Sequence, residues 1–184
     1  MEDAVGEAFS RCASRRCAVI PRPLATEAAV LFPLDSPRDA RFGELLASSY
    51  RQVVGEPLRE GGIADGDTAR WLYEDAPFCL LAHDAQEDPG FVYANMTAQR
   101  CFEYPWDEFV GMPSRLSAEA PEREDRQKFL DAVGRQGFVS DYRGIRIAKS
   151  GRRFLIERAT VWNVVDHDGT RQGQAALIRG WSDI

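Results

Sequence analysis

Three runs of alternating apolar and polar residues, joined by two tight turns, close this chain and constrain its fold more than any other feature. Tyr142 to Ala148, residues 153–165 and Gln172 to Trp181 each have the length and period of a strand. Lys149-Ser150-Gly151-Arg152 and Asp166-His167-Asp168-Gly169 carry the turn chemistry that joins antiparallel neighbours. In the middle run, Phe154, Ile156, Thr160, Trp162 and Val164 are expected on one face, with Arg158 as the charged exception. A meander with an apolar face is unstable in water until something covers that face. The upstream sequence must therefore supply the cover.

It does so with two more strands and a helical excursion. Phe78 to His83 reads as a short buried strand and Phe91 to Ala94 as its partner, with Glu87-Asp88-Pro89-Gly90 as the turn between them. Asn95 suits the N-cap of a helix beginning at Met96 and ending near Phe102. Pro105–Val110 and Glu122–Gly134 read as further helical pieces, the last with Phe129, Leu130 and Val133 on one side. The order ββαααβββ, without internal repeat, predicts an α+β domain: a five-stranded antiparallel sheet with helices over one face.

A flanking helix precedes this unit. Ser36 is the expected N-cap and Pro37 the first helical residue, and Gly55 and Pro57 supply the stop. Phe42, Leu46, Tyr50 and Val53 form its apolar stripe and are the expected interface residues of a dimer. The expected organisation is a tail over 1–35, a flanking helix and linker over 36–66, and the main domain over 67–184. The tail has Arg11, Arg15, Arg16 and Arg22 in an acid-free stretch, as a transit peptide does, but opens with Glu2, Asp3 and Glu7. A flexible tail on a cytoplasmic protein and a plastid-targeting segment are the two alternatives.

Charge and composition exclude several classes. Lys plus Arg number 23 against 29 Asp plus Glu, a net charge of −6, which does not supply the footprint of direct nucleic-acid binding. No apolar run has the roughly 18 residues of a membrane span. Cys12 and Cys17 lack the spacing of a zinc knuckle; Cys79 and Cys101 sit in apolar segments as small hydrophobes. Asp84, Glu87 and Asp88 lack the pattern of a calcium loop, so no metal site is expected. His83 and His167 are the only histidines, and neither stands with a nucleophile motif, so no catalytic residue is expected.

The strand order and several short runs resemble PAS domains. Phe91-Val92-Tyr93-Ala94-Asn95 is similar to their strand-then-Asn entry, Phe102 to Gly111 to their following helical segment, and Lys149 to Phe154 to their late hairpin. A more specific resemblance is to the MEKHLA family of PAS-like domains. It rests on those runs together with Pro113 to Glu119, Tyr142 to Ile147, Val161-Trp162-Asn163 and Gly173-Gln174-Ala175-Ala176, and covers about residues 67–184. The family includes the C-terminal module of plant class III homeodomain–leucine zipper regulators and nearly free-standing bacterial and algal proteins. The resemblance implies a non-catalytic sensory or regulatory module acting through protein–protein contact, as a homodimer or with another regulatory protein. A small-molecule sensor using the PAS cavity is the alternative, and an undetected enzyme is the least favoured. The sequence shows no homeodomain, leucine heptads or lipid-binding START region, so transcription-factor status does not carry over.

Candidate ligand contacts follow from the same resemblance. Tyr93, Asn95, Arg115, Tyr142, Arg146, Trp162 and Gln174 are the expected cavity residues. Arg115, Arg143 and Arg146 can meet an anion through forked hydrogen bonds, or can each pair with a nearby carboxylate. The cofactor stays open. In flavin-binding PAS light sensors a reactive cysteine adds to the excited flavin; the matching run here is Gly111 to Ala118, with Ser114 at the cysteine position. A serine cannot form that thioether.

Overall fold

The computed structural model describes residues 34–59, 68–119 and 123–184, so all of the tail but Leu34 and Asp35, and most of the linker, lie outside the described residues. Five antiparallel strands form one sheet: β1 (Cys79–Asp84), β2 (Phe91–Ala94), β3 (Phe138–Ile147), β4 (Arg153–Val165) and β5 (Arg171–Asp183). Their spatial order is β2-β1-β5-β4-β3, so the hairpin β1–β2 and the meander β3–β4–β5 meet along β1 and β5. At that seam a Cβ on Gly173 would meet the His83 carbonyl oxygen at 2.0 Å, so only glycine allows the two backbones to approach so closely.

Helices cover both faces. On one side lie α3 (Met96–Phe102), α4 (Trp106–Phe109), a short 3₁₀ turn over Ser114–Ser117, and α5 (Arg123–Gln136). Phe102 and Phe109 pack there with Leu81, Phe91, Phe154, Ile156 and Ile178. Cys79 and Cys101 belong to the same cluster as buried free thiols. On the other side lie α1 (Ala40–Val54) and α2 (Thr68–Arg70), which continues as a π-helical turn through Asp75. Here Phe42, Leu46, Tyr50 and Leu72 pack against Leu80, Tyr93, Trp162 and Leu177. Each such aliphatic or aromatic side chain contributes roughly 1.5–3 kcal/mol by leaving water.

The flanking helix therefore covers the sheet of its own chain. Phe42, Leu46 and Tyr50 are buried in cis, and Val53 packs half-buried at the edge of the same cluster. This corrects the basis of the dimer expectation, because the sheet's open face takes up the stripe within one chain. The helix also begins later than expected. Asp39, not Ser36, is the N-cap, accepting from the Phe42 N–H at 2.9 Å, while Ser36 closes the turn before it. Gly55 ends the helix at φ 88°, as expected.

Strand β4 departs from simple alternation. Tyr142 pairs with Ala159 and Gly144 with Ile156, so Glu157 and Arg158 stand opposite Arg143 alone, and Arg158 has φ 50°. Phe154 and Ile156 consequently join Ala159 on the α5 side, while Trp162 and Val164 face α1. The single face expected from the sequence is split by this bulge. No helix is long and apolar enough to cross a membrane among the described residues.

Candidate functional site

Between α5 and the sheet lies a cavity of about 50 Å³. Its apolar walls include Leu81, Phe91, Phe102, Ile156, Val161 and Ile178, and its polar lining is His83, Ser117, Arg126, Tyr142, Arg146 and Gln174. These polar residues come from different elements: His83 from β1, Arg126 from α5, Tyr142 and Arg146 from β3, and Gln174 from β5. The fold, not any local motif, assembles them.

Helix α5 is fastened over this space through its backbone. Gln174 Nε2 donates to the Leu130 carbonyl at 3.0 Å and to Asn163 Oδ1 at 3.1 Å. Asn163 Nδ2 in turn faces the Val133 and Gly134 carbonyls at 3.2 and 3.3 Å. The ring of Phe129 stacks on Tyr142 with centroids 3.8 Å apart. Polar strand residues thus tie the helix to β4 and β5, and an aromatic stack joins it to β3.

Two guanidinium groups are buried here without a carboxylate. Arg126 is 7% exposed and Arg146 8% exposed. Arg126 donates to the Ser114 hydroxyl at 3.2 Å; Arg146 donates to the Ile145 carbonyl at 2.8 Å and the Tyr142 hydroxyl at 3.3 Å, and lies over the Tyr142 ring. No ion pair engages either side chain among the described residues. Burial, reinforced by the charge of Arg146, brings the Arg126 pKa down to about 10. It remains cationic at neutral pH, and a buried cation with no counter-charge is costly.

His83 is the third buried polar group. Its Nδ1 lies 2.8 Å from the Asp84 carbonyl oxygen. A carbonyl only accepts, so Nδ1 carries the proton and Nε2 is left with a lone pair. That Nε2 is buried and has no hydrogen-bond partner among the described residues. Burial brings the ring's pKa down to about 4; the Asp84 carbonyl raises it in part, and Arg126 lowers it further. The imidazole is neutral at physiological pH.

The expected cavity residues divide across the sheet. Tyr142, Arg146 and Gln174 line the cavity. Tyr93 and Trp162 point to the opposite face, which corrects their assignment: Tyr93 sits among Phe42, Tyr73 and Trp106, and Trp162 donates to the Ser49 hydroxyl at 3.1 Å and meets Tyr50 edge-on. Asn95 is a structural hub. Its Oδ1 accepts from the Leu80 and Ala98 N–H groups, and its Nδ2 donates to the Leu72 and Phe78 carbonyls. Arg115 is on the surface, holding Asp88 in a forked pair. Arg143 pairs with Glu157. Of the three arginines considered for an anion, only Arg146 faces the cavity.

Arg126 and His83 were not among the expected contacts. Arg126 stands in a run of alternating charges that reads as an exposed helix start. Its position three, four and seven residues before Phe129, Leu130 and Val133 puts it on the apolar side of that helix, and that spacing was the available signal. Asp84, weighed as a cation ligand, instead closes the β1–β2 turn by accepting from Gln86 and Gly90. Among the described residues no cluster of three or more His, Cys, Asp or Glu side chains could hold a metal.

A flavin does not fit this lining. The cavity of about 50 Å³ has room for only a few water-sized centres, and the Arg126 and Arg146 guanidinium groups and the stacked Phe129 and Tyr142 rings line it. The Ser114 hydroxyl oxygen accepts from Arg126.

A five-stranded antiparallel sheet in this order, helices over its faces and a cavity beneath α5 define a PAS-like fold. A fungal light-oxygen-voltage photoreceptor domain shares it, with a TM-score of 0.51 and 18% identity over 82% of this chain and 95% of that one. An RNA-binding light-oxygen-voltage receptor shares it with a TM-score of 0.55 and 20% identity, over 67% of this chain and 36% of that one. At these identities the likeness concerns the fold alone. Within that class, the MEKHLA domain sequence model matches residues 40–183, and the chain belongs to the MEKHLA domain family. The homeobox-leucine zipper protein ATHB-14 of Arabidopsis thaliana is 24% identical over 171 residues, 91% of this chain. The match spans only 20% of that relative's length.

Proposed function

We propose that this chain is a non-catalytic sensory module that reads a small molecule held between α5 and the sheet and passes its occupancy to a regulatory partner. The observation that carries this reading is a cavity lined by buried Arg126, Arg146 and His83, where among the described residues neither guanidinium has an ion pair and His83 Nε2 has no hydrogen-bond partner. Buried polar groups are ordinarily satisfied, and groups left open in a cavity await a ligand or ordered water.

A ligand contacting Arg126 and either Arg146 or His83 would bridge α5 to the sheet. Its binding energy would add to the ties made by Gln174 and Asn163, shifting the helix toward its docked position. Membership in a family represented in a homeobox-leucine zipper protein supports a regulatory output, through a partner or an attached domain. An output by homodimerisation would need a surface other than the Phe42, Leu46 and Tyr50 stripe, which α1 buries in cis.

Native mass spectrometry of the purified protein, with and without incubation in a mixture of small metabolites, tests the reading. A discrete added mass that slows amide exchange in α5 is expected. A protein that carries no ligand, takes up none, and exchanges α5 amides equally in both samples contradicts it.

A further inference from the structure

We infer that the cavity is built for a short 2-hydroxycarboxylate, its carboxylate against Arg126 and Arg146 and its hydroxyl donating to His83 Nε2; this rests on the cavity being the sensory site. The two arginines present only donors, and both lack an anionic partner among the described residues. A planar guanidinium fork matches a planar carboxylate, and the contact would supply the negative charge that two adjacent buried cations lack.

The imidazole adds a second requirement of opposite sense. With Nδ1 committed to the Asp84 carbonyl, Nε2 can only accept, and a carboxylate has no proton to give it. The ligand must therefore carry a donor as well as the anion. A hydroxyl satisfies that lone pair without bringing a third cation beside the guanidiniums, as an ammonium would.

Size and wall chemistry set the remainder. A cavity of about 50 Å³ holds only a few centres at the roughly 10–15 Å³ that one water requires, and its non-polar lining is phenyl and aliphatic. A compact hydroxy acid with a methyl-sized tail suits it. Inorganic phosphate, with no apolar part and a larger charge to desolvate, suits it less.

Calorimetry at pH 7 and constant ionic strength with L- and D-lactate, propionate, lactamide and phosphate separates these demands. The expected result is that one lactate enantiomer binds at least tenfold more tightly than propionate, which lacks the donor, and than lactamide, which lacks the charge. His83→Phe should erase the preference for lactate over propionate. Arg126→Met should erase the preference for lactate over lactamide while raising the melting temperature of the free protein, since it removes a buried charge that has no ion pair among the described residues. That combined gain in stability and loss of discrimination is not what a purely structural arginine gives.

Equal binding of lactate and propionate overturns the hydroxyl contact, and equal binding of lactate and lactamide overturns the anion site, yet both leave the cavity standing as a sensor. Preferential binding of phosphate, or no heat with any of these probes, also overturns the inference. The sensory reading is then judged by mass spectrometry alone.

Discussion

Acidification should destabilise this protein through one histidine, and the size of the effect follows from where that ring sits. His83 is 7% exposed and its pKa is brought down to about 4 from 6.5, first by burial and further by the nearby charge of Arg126. Above pH 6.5 the ring is neutral in folded and unfolded chains alike and contributes no pH dependence. Between pH 6.5 and about 4 the unfolded chain binds a proton that the native state refuses, so stability falls as pH falls, by up to about 1.4 kcal/mol per unit. Below about pH 4 both states are protonated, and the accumulated loss is on the order of 3 kcal/mol. Urea unfolding of wild type and His83→Gln at intervals from pH 7 to pH 4.5 isolates this contribution, because the other titrating groups are common to both proteins. The wild-type curve should drop more steeply than the variant's below pH 6.5. With only two histidines in the chain, and His167 on an exposed turn, NMR titration follows the His83 ring directly. Parallel stability curves, together with a His83 ring that titrates near 6.5, would refute the claim of a buried neutral imidazole.

Other consequences are simpler to state. Asn95→Ala removes four hydrogen bonds that join β1, α3 and the turn before β1, so a loss of about 3 kcal/mol or more is expected in denaturant melts; a loss below 1 kcal/mol contradicts the hub. Leu46→Asp sets a charge in the fully buried core under α1 and should unfold the chain outright, read as lost near-ultraviolet circular dichroism; a folded variant that merely changes its oligomeric state on sedimentation contradicts packing in cis. Blue light should produce no thermally recovering bleach at the flavin band, since Ser114 offers no thiol; observing one contradicts the fit of these residues.

The strands and their order were legible because local chemistry marks them. Gly151 and Gly169 take positive φ in the two hairpin turns, and Asn95 caps α3 through Oδ1, each a short-range signal. The beginning of β3 was not: Phe138 to Asp141 follow Gly137 at φ 92° and include Asp141 at φ 56°, so no clean alternation leads into Tyr142. The facing of β4 was misread for a related reason, because the bulge at Arg158 reverses parity without any glycine or proline to announce it. The site was legible only in part. Tyr142, Arg146 and Gln174 lie on the strands that resemblance pointed to, whereas Tyr93 and Trp162 required knowing which face each strand residue takes. Arg126 was hidden by charge, since a basic residue among Glu124, Asp125 and Lys128 reads as solvated until its phase relative to Phe129 and Val133 is counted. The pairings that separate Arg146 from Arg115 and Arg143 depend on the positions of Asp88 and Glu157 and are matters of tertiary structure.

In the proposed sensor the buried cations of α5 and β3 face a ligand. NMR of the arginine Nε–Hε groups and histidine rings during titration with lactate tests it most directly, with Arg126→Met and Arg146→Met providing assignments. Saturable shifts confined to Arg126, Arg146 and His83 are expected. Shifts confined to surface arginines such as Arg115 and Arg143, growing linearly with concentration while the cavity residues stay fixed, would contradict it.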